Sequence, residues 1–447
     1  MYILTNGRLI TRDPDARGYY EKGAVVYEGS KIVEVGEEAA LTAKYPQAEK
    51  IDAKGGVIMP ALINAHTHIY SALARGLSIV GNNPTNFLEV LEGTWWAIDR
   101  HLTLEGTRAS ADALYIDCIK QGVTTIFDHH ASYCQIPGSL FQIGESAKKF
   151  GIRSCLCYEV SDRDGEEKCL EAIRENVDWI TYCREHNDPM LAAMFGGHAL
   201  FTISDKTFDR MVEANNGRTG YHIHVSEGMN DVYDSLQNYG RRPVQRLQDH
   251  GILGEKTILG HCIHVNTAEM ELIRETGTMV VNNPESNMGN AIGICPVLQL
   301  YKRGILLGMG TDAYTNDMLE SLKVALCSQR SQNCLPNVGW CEVTDMLFKN
   351  NAKIGEKYFP DTLGVLKAGA AADIIVMDYK PFTPFSDENI DGHMIFGMTG
   401  RQCQTTIAAG KLLMKDRELV GIDEEAENAH ILEASRKLWG TLNHREY

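Results

Sequence analysis

The chain has 447 residues, of which 44% are hydrophobic and 23% are charged, a composition typical of soluble globular proteins. A formal net charge of −16, without any block rich in Lys or Arg, argues against a nucleic-acid-binding protein. Charged residues interrupt the first twenty positions, and no apolar stretch is long enough to span a bilayer. We therefore expect a cytoplasmic protein with no secretory signal and no membrane partner.

Both ends of the chain show the alternation typical of short β-strands separated by turn residues. The predicted strands at the two ends are 2–4, 23–27, 31–35, 372–377 and 404–411. Neither end is long enough to bury a core alone. We therefore expect residues 1–57 and 365–447 to form one small composite domain, a β-sandwich.

Residues 58–364 alternate between strand-like and helix-like segments. The predicted strands are 57–65, 124–128, 153–158, 191–195, 221–225, 257–260, 279–282 and 305–308. The clearest predicted helices are 107–120, 167–184, 207–214, 267–276 and 319–328. Eight β/α units in a row predict an α/β fold with a (β/α)8 TIM-type barrel.

Histidines cluster at the ends of these predicted strands. His66 and His68 end the first strand, and because side chains alternate along a strand, both imidazoles point to the same side and can share a metal ion. Other polar residues at strand ends are His129, His198, His222, His224, His261 and Asp312. Active sites of such barrels gather at the carboxyl ends of the strands, which predicts one site there.

The chemistry of these residues suits a metal-dependent hydrolase. The expected ligands are His66, His68, His224 and Asp312. Three imidazoles and one carboxylate suit a single divalent ion, with Zn(II) expected and Fe(II) as the alternative, and such an ion acidifies a bound water. Glu227, three residues beyond His224, can exchange a proton with the substrate. His261 can orient the water or polarise the attacked carbon, and Asp312 can take the proton of the water.

Five motifs together resemble the amidohydrolase superfamily, in its aminohydrolase (deaminase) branch. They are Pro60-Ala61-Leu62-Ile63-Asn64-Ala65-His66-Thr67-His68, His222-x-His224-x-x-Glu227, Gly260-His261-Cys262, Asn283-Pro284-Glu285-Ser286-Asn287 and Gly310-Thr311-Asp312. The nearest group is the SsnA-type aminohydrolases. The resemblance implies one metal ion on the four ligands above, with Glu227 and His261 catalytic. Binuclear members carry a carboxylated lysine on a central strand, and neither 153–159 nor 191–198 contains a lysine.

Four further residues are candidates for substrate binding. His198 could donate to a substrate carbonyl, and His222 could support His224 from behind. Adjacent residues of a strand face opposite sides, so only one of His129 and His130 can point into the barrel. Arg75 could bind an anionic or carbonyl group, or form a plain salt bridge of the barrel. For Trp95 and Trp96, we expect core packing rather than a role in capping the pocket.

The sequence therefore predicts hydrolytic deamination of a small, purine-like nitrogen heterocycle, with release of ammonia. Hydrolysis of a cyclic amide, or of another C–N or C–halogen bond, is the alternative on the same site. A non-catalytic, metal-stabilised protein is a third interpretation. Many barrels of this kind form homo-oligomers, and the sequence leaves the oligomeric state open.

Overall fold

The computed structural model describes residues 1–447. Its strands are β1 (Tyr2–Ile10), β2 (Tyr19–Glu28), β3 (Lys31–Glu37), β4 (Glu49–Asp52), β5 (Val57–Pro60), β6 (Leu62–Thr67), β7 (Val123–His130), β8 (Arg153–Tyr158), β9 (Leu191–Ala193), β10 (Phe195–Ala199), β11 (Tyr221–Val225), β12 (Ile258–His261), β13 (Met279–Asn282), β14 (Leu307–Met309), β15 (Ile374–Met377), β16 (Cys403–Ala408), β17 (Lys411–Lys415) and β18 (Glu418–Leu419).

The α-helices are α1 (Glu38–Lys44), α2 (Phe87–Val90), α3 (Trp96–Asp99), α4 (Leu104–Gln121), α5 (Ser139–Phe150), α6 (Glu166–His186), α7 (Asp205–Asn215), α8 (Met229–Tyr239), α9 (Pro243–Asp249), α10 (Thr267–Thr276), α11 (Pro284–Gly289), α12 (Val297–Lys302), α13 (Met318–Asn333), α14 (Trp340–Asp345), α15 (Asn351–Glu356), α16 (Ile390–Gly397) and α17 (Glu424–Asn443). Short 3-10 helices cover Ile69–Ala74, Leu200–Thr202 and Gly400–Gln402, and π-helical turns cover Leu91–Trp95 and Met346–Asn350. No helix has the length and apolar character needed to cross a membrane.

Parallel strands build the centre of the molecule in two sheets, ordered β6-β7-β8-β9 and β10-β11-β12-β13-β14. Single parallel bridges join them at both seams, between Thr67 and Asp312 and between Val160 and Gly197. These nine strands follow one another through the two sheets in chain order, because the predicted strand 191–195 is divided into β9 and β10. The fold class predicted from the sequence is confirmed. Their carboxyl ends meet at one face, which brings distant parts of the chain together.

The apolar run 57–65 does not form one strand as predicted. β5 pairs with β1 and β15 in the sheet built from the chain ends, whereas β6 pairs with β7 in the barrel. The switch occurs at Ala61, whose N–H donates to the carbonyl of Asp373, while the N–H of Leu62 donates to that of Gly122. Both halves are buried, so a single apolar run serves two sheets.

The chain ends share a nine-stranded sheet, ordered β18-β17-β16-β15-β5-β1-β2-β3, with β4 paired to β1. Side chains from both ends, such as Leu4, Val25, Ile374 and Ile407, pack into one apolar cluster. A domain division at 57/58 and 364/365 stays a prediction, and Ile58 and Met59 already belong to this sheet.

The helix α17 lies outside this pattern, because it packs on α4 of the barrel. Its Trp439 donates its indole N–H to the carbonyl of Leu73 (2.7 Å), in the 3-10 helix that directly follows His68. Asn443 accepts from the N–H of Val80 (2.7 Å) and donates to the carbonyl of Ser78 (3.0 Å). The long connection after β6 is therefore fastened by a segment more than 300 residues away in sequence.

Candidate active site

Five side chains from four strand ends converge in one buried cluster. One potential ligand atom from each of His66, His224, His261 and Asp312 lies within 4.8 Å of the others. Nε2 of His68 joins them, 2.8 Å from Oδ1 of Asp312 and 3.2 Å from Nε2 of His224. The structure thus brings together all four residues predicted as metal ligands, with His261 beside them.

Backbone carbonyls fix the orientation of two of these imidazoles. Nδ1 of His68 donates to the carbonyl of His129 (2.5 Å), and Nδ1 of His224 donates to that of His198 (2.7 Å). With a proton on Nδ1, each ring presents the lone pair of Nε2 to the cluster. For His66, Nδ1 lies 2.8 Å from Nε2 of His222, which makes His222 its supporting residue.

The donor set fits a divalent metal ion. Nε2 of His66 is buried and has no hydrogen-bond partner in the protein, an arrangement that an ion satisfies. Burial lowers the pKa of His66 to about 3 and holds that of His224 well below its usual value, so both imidazoles are in the neutral form that binds metals. Burial acts in the same direction on His68, but the contact with Asp312 outweighs it and raises the pKa of His68 to about 9, so an ion that binds Nε2 of His68 must displace a proton from it.

Asp312 is held in place from two sides. The Ser286 hydroxyl donates to Oδ2, which leaves Oδ1 facing His68, and the N–H of Asp312 donates to the carbonyl of His66 (3.0 Å). The backbone of Asp312 lies in the left-handed region (φ 55°), as does that of His261 (φ 67°). A non-glycine residue held in this region costs about 1–3 kcal/mol, and such strain is typical of functional sites.

Glu227 and His261 form a pair beside the cluster. Oε1 of Glu227 lies 3.6 Å from Nε2 of His261, whose Nδ1 contacts Oδ1 of Asn287 (2.7 Å). Burial and the neighbouring Asp312 and Asp231 raise the pKa of Glu227 well above its usual value. Burial lowers the pKa of His261. The carboxyl group of Glu227 therefore keeps its proton to a higher pH than usual, next to an imidazole that loses its proton at a lower pH than usual, an arrangement able to give a proton to a bound substrate.

A cavity opens above the cluster at the carboxyl end of the strands. It is lined by His68, Tyr70, Phe87, Leu91, Trp95, Trp96, Glu159, His198, His224, Glu227, Asn290, Asp312 and Ala313. Residues 87–99, here called the cover helix, run as α2, the π-helical turn and α3, and supply four of these side chains. As predicted, Trp96 belongs to the main apolar cluster and Trp95 packs against it, but both side chains also line the cavity, which core packing alone did not predict.

The four tentative substrate-binding residues take different positions. His198 lines the cavity, with Nδ1 close to the Thr202 hydroxyl (2.8 Å). His129 and His222 lie behind the metal-binding cluster, and Nε2 of His129 donates to the carbonyls of Gly197 (3.0 Å) and His222 (3.1 Å). Arg75 lies outside the cavity with 69% of its side chain exposed, and its guanidinium is paired with Asp117 (2.9 Å). Of the four, only His198 can touch a ligand in this cavity.

The sequence profile of the amidohydrolase family matches residues 57–413, and that of an imidazolonepropionase-like composite domain of bacteria matches residues 23–48. The chain belongs to the amidohydrolase family. This membership agrees with the resemblance noted from the five motifs.

Relatives of this amidohydrolase match it over almost its full length. A 5'-deoxyadenosine deaminase of Methanosarcina mazei is 30% identical over 99% of both chains. Among solved structures, an adenosine deaminase from Xanthomonas campestris with bound zinc has a TM-score of 0.84 and 22% identity, over 98% of both chains. An atrazine chlorohydrolase from Arthrobacter aurescens has a TM-score of 0.81 and 23% identity, over 97% of this chain and all of the other. The two structures support the fold.

The roles of three residues near the site of this amidohydrolase were not predicted from the sequence. Ser286 and Asn287 belong to a motif that was recognised as a whole, but only the structure shows that they hold Asp312 and His261. Glu159 follows the third barrel strand, and that position is the one signal that could have placed it in the cavity.

Proposed function

We propose that this amidohydrolase is a metal-dependent deaminase that hydrolyses the exocyclic amine of a small purine-like heterocycle. The observation that carries the proposal is the Glu227–His261 pair: Glu227 lines the cavity together with His68, His224 and Asp312, and His261 lies buried in the same His–Asp cluster. The relative from Methanosarcina mazei, which matches over the full length, supports the purine class of substrate.

The metal would be held by His66, His68, His224 and Asp312, and three nitrogens with one carboxylate favour Zn(II). When bound, a divalent ion acts as a Lewis acid and lowers the pKa of a water molecule. Fe(II) suits the same donors and is the alternative that metal analysis distinguishes.

Each proton transfer in the proposed reaction is assigned to a particular side chain. Oδ1 of Asp312 accepts a proton from the attacking water, while Ser286 holds Oδ2 of the same carboxylate. Nε2 of His261 orients the water towards the amine-bearing carbon, because Asn287 fixes the ring through Nδ1. Glu227 gives its proton to the adjacent ring nitrogen. The proton on Asp312 then passes to the amine, the C–N bond breaks and ammonia leaves. The remaining hydroxyl proton returns to Glu227 as the ring carbonyl forms, so both carboxyl groups regain their starting protonation states.

The aromatic side chains of the cover helix suit a planar heterocycle. Trp95 and Trp96 line one side of the cavity, and Tyr70 lies near Trp95 with 6.1 Å between ring centroids. His198 lies beside Trp96, with 5.9 Å between the ring centroids, and can hydrogen-bond to a polar edge of the heterocycle.

Ammonia release from a panel of purines, pterins, pyrimidines and triazines tests the proposal. We expect Glu227→Gln to lower kcat by about 10²–10⁴-fold while metal content and unfolding temperature stay unchanged. Glu285→Gln is the matched control, since Glu285 is a carboxyl of α11 that does not line the cavity. Full turnover by Glu227→Gln would contradict the mechanism, and release of chloride or a ring-opened product without ammonia would favour the alternative reaction.

A further inference from the structure

A second, larger cavity lies at the opposite end of the barrel from the candidate active site. Its volume is about 630 Å³, which is within the usual range for sites that bind small molecules. Leu191, the first residue of β9, lines it, as do Thr219 and Lys256, which lie just before β11 and β12. The cavity therefore opens among the amino ends of the parallel strands, whereas the metal-binding cluster lies at their carboxyl ends.

Four cationic side chains line this second cavity, here called the basic cavity. They are Arg184 at the end of α6, Arg218 before β11, Lys256 before β12 and Lys357 directly after α15. None of the four forms an ion pair, whereas Lys206 and Arg210 of the neighbouring α7 share Glu166. In a chain with a net charge of −16, four unpaired cations around one cavity favour an anionic ligand.

Arg218 is held in a fixed position by three hydrogen bonds. Its Nε donates to the carbonyl of Asn215 (3.0 Å) and its Nη2 to that of Ala214 (2.6 Å), both in the last turn of α7. Its Nη1 donates to the hydroxyl of Thr181 on α6 (3.3 Å). All three acceptors are uncharged, so the guanidinium keeps its positive charge. Because the side chain is already ordered, it loses little further freedom when a ligand binds.

Two carboxylates line the same cavity, and neighbouring backbone groups hold both of them. Oδ1 of Asp188 accepts from the N–H of Met190 (2.9 Å), and Oε1 of Glu356 accepts from the N–H of Leu363 (3.1 Å). Neither carboxylate pairs with any of the four cations. The four cations therefore exceed the two carboxylates, and positive charge remains for a bound anion.

Part of the basic cavity is apolar. The buried side chains of Ile180, Leu191 and Phe359 line it, and Tyr358 adds a second aromatic ring. Arg184 is exposed to solvent, so positive charge lies nearer the opening than these buried groups do. An organic anion suits this division, because its apolar part can contact the buried side chains while its charged group lies among the cations.

We propose that the basic cavity is a second ligand site, which binds a small organic phosphate of about nucleotide size. A phosphate group suits the lining because guanidinium and ammonium groups both donate to its oxygens, and a guanidinium can do so through two parallel hydrogen bonds. This site is independent of the proposed deamination, since the basic cavity shares no lining residue with the cavity above the metal-binding cluster.

Titration calorimetry with uridine, uridine 5'-diphosphate and inorganic phosphate tests this site. Uridine and its diphosphate differ only in their phosphates, and neither is a purine. We expect the diphosphate to bind at least about tenfold tighter than uridine, which lacks the charge, and than inorganic phosphate, which lacks the organic part. Higher ionic strength should weaken its binding, because salt screens exposed charges.

A matched pair of double substitutions locates the site. Arg184→Glu combined with Lys357→Glu reverses two cations of the basic cavity and should weaken diphosphate binding at least about tenfold. Arg174→Glu combined with Lys353→Glu is the control, because these two exposed residues lie on α6 and α15 but do not line the cavity. Both double variants change the net charge equally, so a difference between them reports location.

Diphosphate binding that is absent, or no tighter than that of uridine or inorganic phosphate, overturns the proposal. Equal losses of affinity in the two double variants also overturn it, because the ligand would then bind elsewhere. Lys256→Gln provides a second test where the reversed variant fails to fold. This substitution removes one cation at an exposed position and should weaken diphosphate binding at least about threefold, and unchanged affinity would contradict the site.

Discussion

Ser286 donates its hydroxyl proton to Oδ2 of Asp312 and thereby turns Oδ1 towards Nε2 of His68. Ser286 lies on α11, which follows β13, whereas Asp312 follows β14. The segment after β14 thus provides the carboxylate, and the segment after β13 fixes the orientation of that carboxylate. The consequence is that a residue outside the ligand set controls how the ligand set is arranged.

The first prediction concerns Ser286→Ala. We expect the affinity for Zn(II) to fall about 10–100-fold, because the free carboxylate rotates away from the imidazoles. Competition with a chromogenic chelator measures this affinity. Ser321→Ala is the control, since Ser321 also donates to a carboxylate, that of Glu285 (2.9 Å), outside the cluster. Equal losses of affinity in both variants would contradict the assigned role of Ser286.

Removal of the metal should destabilise the fold. Binding of an ion at about 1,000 times its dissociation constant adds about 4 kcal/mol to the free energy of unfolding. A chelator should therefore lower the unfolding temperature, and added Zn(II) should restore it. In the variant His66→Ala, which lacks one ligand, the chelator should have a much smaller effect. An unfolding temperature insensitive to the chelator in the unaltered protein would argue against the metal site.

Gly310 should tolerate no side chain. A Cβ atom there would lie 2.5 Å from Oδ1 of Asn283 and 2.7 Å from both Cβ and the carbonyl oxygen of His66. We expect Gly310→Ala to cost about 1–3 kcal/mol in unfolding free energy and to reduce metal content, because β6 must shift. Gly254→Ala, where a Cβ meets no atom within 4 Å, should be close to neutral in urea unfolding. Retention of full metal content by Gly310→Ala would show that β6 can adapt.

Glu175 should make stability depend on pH. Burial raises the pKa of this carboxyl to about 7, although the N–H groups of Gly138 and Leu140 donate to it. The folded protein therefore holds this proton more tightly than the unfolded chain, whose glutamates have a pKa of about 4.3. Stability from this group is complete below about pH 4 and is lost as the pH rises towards 7, by at most about 3 kcal/mol.

Urea unfolding at several pH values checks this sign. Glu175→Gln cannot titrate, so its unfolding free energy should fall less than that of the unaltered protein between about pH 5 and pH 7. Parallel curves for the two proteins would mean that Glu175 has an ordinary pKa.

Much of the barrel could be predicted from the sequence. The strands Arg153–Tyr158, Tyr221–Val225 and Met279–Asn282 agree with the predicted ranges, because each is a short apolar run with polar or turn residues at its ends. The proposed metal ligands follow from the same logic, since parallel strands place their carboxyl ends together. The meeting of these residues could therefore be inferred from the order of the strands along the chain.

The cavity could not be predicted in the same way. The pairing of Arg163 with Asp99 joins residues 64 positions apart, and no periodic pattern reports such a contact. The switch between sheets at Ala61 is equally hidden, because both flanking strands are fully buried and equally apolar. The helix α17 was missed because its contacts are with the barrel rather than with the strands beside it in sequence.

The attachment of α17 has a consequence for folding on the ribosome. Trp439 and Asn443 hold the segment that leads from β6 to the cover helix, and residues 424–443 are synthesised after the whole barrel. A nascent chain that extends beyond Asp312 already contains all four proposed metal ligands. The segment between β6 and the cover helix is held in place only after α17 has been synthesised and has packed against it. Metal uptake can therefore precede closure of the cavity during synthesis.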